Sequence, residues 1–132
     1  MSKSKDEIAS LVRAGRFSAA AQLAEADGDF AKAAELLASE WRWEAASEAA
    51  LRGGHLALAY RYALESSDAS RRASLTTKLS AFPEAALEAA RHAQAKGRPR
   101  DAALLHESAG DLAGAAALYQ EADELFDAAR CQ

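Results

Sequence analysis

Gly28-Asp29-Phe30-Ala31-Lys32-Ala33-Ala34-Glu35-Leu36-Leu37 is the stretch that decides the fold. A glycine, an aspartate and an apolar residue lead into alanines and leucines that recur three and four positions apart. That order reads as a tight turn, a helix cap and one short amphipathic helix. Glycine lets the chain reverse at positive φ. The aspartate next to it is placed to accept from the free N–H groups of the helix that follows.

The same phrase recurs along the chain. Steps of 13 residues place Gly15, Gly28, Trp41, Gly54, Ser67 and Ser80 at one point of the pattern. After a gap of 17, Gly97, Gly110 and Asp123 resume the step, so one unit carries about one extra helical turn. Two positions after these residues stand Phe17, Phe30, Trp43, Leu56, Ala69, Phe82, Pro99, Leu112 and Leu125. Five positions after them, 8 of 9 residues are alanine, with Arg72 as the exception. This is an internal repeat, and it governs every other assignment. The second, fifth, sixth and ninth columns share one helix face and are the expected core. The third column, which holds Ala31, is expected to be exposed.

These units predict helices over 5–14, 17–26, 30–39, 43–52, 56–66, 69–79, 83–96, 99–109 and 112–121, with a tenth starting near Glu124. Helices of about ten residues are marginal alone in water, so each must bury its apolar stripe against its neighbours. Antiparallel hairpins stacked side by side meet that need. The expected fold is all-α, an α-solenoid of about ten short antiparallel helices forming one domain over 1–132. Ser4 and Glu7 form a capping box for the first helix. Pro99 suits a first helical position, and the stretch 96–100, with Gly97 and Pro99, is the expected place for a bend.

The Gly-Asp-Phe-x-x-Ala-Ala-x-Leu-Leu phrase, echoed from Gly110 to Tyr119, resembles helices of tetratricopeptide-like and SNAP-like repeats. It is also similar to the short helical hairpins of clathrin and coatomer solenoids. Two units span 26 residues here, against about 34 in the tetratricopeptide pattern. The resemblance implies a non-enzymatic scaffold or adaptor that binds another protein. The alternative is an assembly module, either the helical arm of a larger complex or a self-associating unit.

Composition agrees with helices and narrows the chemistry. Alanine supplies 37 of the 132 residues and has the best intrinsic helix propensity, while valine and isoleucine occur once each. No run of 18 apolar residues exists, and the start lacks the apolar segment of a signal peptide. One cysteine, Cys131, offers no intrachain disulfide, so a reducing compartment and a cytoplasmic location are expected.

The net charge of −4 conceals blocks of opposite sign: −3 over 1–51, +5 over 52–100 and −6 over 101–132. The basic centre, with Arg71 and Arg98, is a candidate surface for an acidic partner or for the acidic end of another copy. A sequence pI near 5.4 and the lack of an aromatic–basic motif argue against nucleic acid.

Catalytic, cofactor and metal sites are not expected. His55, His92 and His106 show no ligand spacing with a carboxylate or with Cys131, whose surroundings are acidic. No phosphate-cradling glycine loop appears. No small-molecule substrate or membrane contact is expected. The candidate partner-binding residues are Trp41, which replaces a turn glycine, Arg71, Arg98, Leu125 and Phe126. The last two make the end of the chain apolar where a terminal repeat needs a polar outer face.

Overall fold

The computed structural model describes residues 2–122, with side chains from residue 5 onward. These residues form nine α-helices and no strand. The chain divides between Ser66 and Ser67 into two compact units.

The first unit holds α1 (Ser2–Arg13), α2 (Phe17–Ala26), α3 (Phe30–Ser39), α4 (Trp43–Arg52) and α5 (Leu56–Ala63). Each helix packs on the next. Grooves lined by α1 with α3 and by α3 with α5 put the odd-numbered helices in one layer, and a groove lined by α2 and α4 marks the other. The fifth-column alanines Ala20, Ala33, Ala46 and Ala59 are fully buried, as the repeat requires. An alanine methyl contributes only about 0.8 kcal/mol on burial. The small side chains therefore act mainly by letting the helix backbones approach. Ser47 takes the place of a buried alanine, and its Oγ donates to the Ala59 carbonyl at 2.8 Å, so no buried polar atom is left without a bond there.

Turn chemistry follows the repeat closely. Gly15, Gly28 and Gly54 have φ of 76°, 82° and 77°, and the glycine amide and the one after it donate back to carbonyls of the preceding helix. For α2, Gly28 N–H donates to Glu25 O at 2.9 Å and Asp29 N–H donates to Ala24 O at 2.9 Å. Asp29 then accepts from Lys32 N at 3.1 Å and caps α3. The first helix departs from expectation. It starts at Ser2, which leaves Ser4 inside the first turn rather than at the cap position.

The second unit holds α6 (Ala69–Leu79), α7 (Pro83–Ala95), α8 (Pro99–Ser108) and α9 (Leu112–Glu121). Helix α8 packs on α6, α7 and α9. Gly97 and Gly110 repeat the positive-φ turn, while the serine positions 67 and 80 do not take it. The stretch 96–100 is an ordinary turn of this kind joining α7 to α8. Asp68 and Asp111 cap α6 and α9 by accepting from Arg71 N and Gly114 N, each at 3.0 Å.

The register of α7 differs from the expectation. Counted forward from Ser80, Phe82 and Ala85 should be core; Phe82 is instead 56% exposed and stands at the helix cap. Counted backward from Gly97, the buried Ala86, Ala89, Ala90 and Ala93 fall on the standard columns. The extra turn therefore sits at the start of α7, and the face that meets its neighbours is set from the glycine end. Leu112, another second-column residue, is 52% exposed, and Phe17, Phe30, Trp43 and Leu56 are half-buried. The large side chains of that column are therefore only partly buried, while Ala86 on the same column is fully buried. Ala31, expected to be exposed, is half-buried. In α6 the burial falls on Leu75 and Leu79, and Arg72 replaces the alanine contact with an ion pair to Asp101 of α8 at 3.8 Å.

Candidate functional site

Trp41 occupies the position that glycine holds in the other turns of the first unit. Its φ is 60°, in the left-handed region, and it is the one non-glycine residue there among the described residues. The turn keeps its bonds: Trp41 N–H donates to Ala38 O at 2.9 Å and Arg42 N–H donates to Leu37 O at 3.1 Å. For a bulky L-residue this conformation costs about 1–2 kcal/mol, because Cβ crowds the backbone carbonyl. The side chain recovers little of that through burial, since Trp41 is 79% exposed. The backbone beneath it is anchored: Ser18 Oγ of α2 donates to Glu40 Oε1 at 3.0 Å and accepts from Arg42 Nη1 at 2.7 Å.

Beside this turn, Trp43 opens α4 and stacks on Tyr62 of α5, with ring centroids 6.2 Å apart and planes at 25°. The pair lines a groove of about 300 Å³ between α3 and α5, rimmed by Glu35, Arg61 and Glu65. Burial raises the Tyr62 hydroxyl above its ordinary pKa. The Arg61 charge opposes that shift, and Glu35 adds to it.

The larger groove, about 480 Å³, lies between α1 and α3. Ile8, Ala9 and Val12 are its apolar lining, and Lys5, Arg13 and Lys32 are its cations. Its carboxylate, Asp29, already caps α3. The groove on the opposite layer, between α2 and α4, is bridged from within by the Arg52–Glu25 ion pair.

The basic residues named from the sequence belong to the second unit. Arg71 Nε stands 3.9 Å from Asp68 Oδ2, and Arg98 Nη1 stands 3.6 Å from Asp101 Oδ2. Asp101 thus faces both Arg98 and Arg72. Leu125, Phe126 and Cys131, with the expected tenth helix, lie outside the described residues.

One arrangement escaped the sequence reading. His106 meets Asp111 across the α8–α9 turn, with Nδ1 and Oδ2 at 2.8 Å. The Gly114 N–H, and then the His106 side chain, hold the Asp111 carboxyl below the usual carboxylate range. Alongside it, Tyr119 Oη donates to the Glu107 carboxylate. The available signal was Gly114, a glycine inside a helix, which calls for a packing reason.

Among the described residues, no three His, Cys, Asp or Glu side chains are placed to share a metal, and no helix is long and apolar enough to cross a membrane. No protein-family model, no curated protein and no solved structure matches this chain.

Proposed function

We propose that this chain is a non-enzymatic protein-interaction scaffold of tetratricopeptide-like helical repeats, working in the cytoplasm and presenting side chains from short helical hairpins. The observation that carries the reading is Trp41. A turn that runs on glycine elsewhere in its unit holds a large aromatic in a costly backbone conformation, with the ring in solvent and the backbone fastened through Ser18. Local strain of this kind clusters at functional positions, and tryptophan is enriched among the residues that dominate binding energy.

The test sets stability against binding. Trp41→Gly relieves the left-handed strain and is expected to raise stability by about 1 kcal/mol. The same change should release a partner that the unaltered chain retains from an extract of its source cells. Retention of every captured protein by the glycine variant would overturn the reading.

A further inference from the structure

The groove between α1 and α3 has a lining pattern that specifies its occupant. Along α1, Lys5 and Arg13 bracket Ile8 and Val12, so two cations about 12 Å apart along the helix flank an apolar strip. Lys32 adds a third cation from α3. It pairs with Glu35 at 4.0 Å, and both side chains are well exposed, a pairing worth little. The Asp29 carboxylate is bound to the α3 N-terminus. At about 480 Å³ the groove falls within the range of sites that bury a ligand group, roughly 300–1,000 Å³. Its complement is a segment with carboxylates on either side of large apolar side chains.

The chain contains such a segment. Residues 123–127 read Asp-Glu-Leu-Phe-Asp, with Glu121 just before them and no cation until Arg130. This segment lies outside the described residues, and its chemistry is taken from the sequence alone. We propose that the α1–α3 groove takes the 123–127 segment of another copy of this chain, the lysines and Arg13 facing its carboxylates and the accessible Ala9 and Val12 receiving Leu125 or Phe126. Groove and segment are different surfaces, so the contact is heterologous: each copy offers one groove and one segment, and association continues head to tail. The inference goes beyond the scaffold reading. It rests on the groove and not on Trp41, so either can fail without the other.

The experiment uses the full chain. Sedimentation velocity over a concentration series should show mass rising progressively, falling back as salt is raised. Lys5→Glu/Lys32→Glu removes the groove charge while placing carboxylates near the starts of α1 and α3, where the helix dipole favours them, so the fold is preserved. Leu125→Lys/Phe126→Lys removes the segment. Each variant alone should stay monomeric, and a mixture of the two should form a dimer and nothing larger.

In parallel, a labelled synthetic peptide of residues 121–128 should bind the unaltered chain. Its affinity for the Lys5→Glu/Lys32→Glu variant should be about tenfold weaker. A peptide with lysine at the acidic positions should restore binding to that variant. Three results would overturn the proposal: a monomer at every concentration, peptide binding indifferent to the groove charges, or association in the mixture no different from that of each variant alone.

Discussion

Gly53 and Phe30 stand so close that a Cβ on Gly53 would lie 2.5 Å from the Phe30 Cβ. Gly53 has an ordinary φ of −85°, so its need for glycine is steric. Its neighbour Gly54 shows the opposite requirement: φ is 77° and a Cβ would meet nothing within 4 Å. Gly53→Ala should cost about 1–3 kcal/mol, because helix α3 or the α4–α5 turn must shift. Gly54→Ala should cost about 1 kcal/mol, through backbone conformation alone. Amide spectra separate the two causes. Shifts around Phe30 are expected for the first variant and only local changes for the second.

Ala33 is fully buried where helices of the first unit meet, whereas Ala19 of α2 is exposed. Ala33→Leu should overpack that contact and cost about 1–3 kcal/mol. Ala19→Leu should change stability by less than about 0.5 kcal/mol. Thermal melts of the two variants check the register directly, and equal losses would contradict it.

Gly114 is the third residue of α9, where Asp111 caps the helix. The equivalent third residues Lys32 and Arg71 accept the same cap while carrying full side chains, so capping does not require glycine. The difference is His106. A Cβ on Gly114 would run into the Asp111 carboxylate and stand 2.8 Å from His106 Nδ1. Replacing a helical glycine by alanine ordinarily stabilises by about 1 kcal/mol. That gain should be absent in Gly114→Ala and should emerge once His106→Ala is also made. A double-mutant cycle by chemical denaturation measures the coupling.

Asp111 also predicts a pH dependence. Its carboxyl is held below its ordinary value of 3.8 in the folded chain, first by the Gly114 N–H and then by His106. A depressed carboxylate stabilises the fold above its unfolded pKa, and that contribution is lost as pH falls through the folded value. The melting-temperature gap between the unaltered chain and Asp111→Asn should therefore be open at about pH 5. It should close once the pH drops below 3.8. A gap that stayed constant to pH 3 would show that the charge is immaterial.

The periodic features were legible residue by residue because they are local. A glycine free to take positive φ, an aspartate beside it and alanines three and four apart specify a turn, a cap and a helical face within one unit. Helices α2, α3, α4, α6 and α9 accordingly begin and end where the repeat puts them. The strained turn at Trp41 was visible too, as a bulky residue in a glycine column.

What the sequence could not determine depends on atoms brought together across helices within each compact unit. Whether the extra turn of α7 lies at its start or its end is decided by which face meets its packing partners, so Phe82 is exposed and Ala93 is buried. His106 finds Asp111 only when the α8–α9 turn closes, and Gly53 needs glycine only because Phe30 packs against it. The basic groove exists because α1 and α3, separated in the chain by α2, lie side by side and place Lys5, Arg13 and Lys32 around one apolar strip. Periodicity fixes which side of each helix faces inward; side-chain contact across the packed helices decides which residues meet.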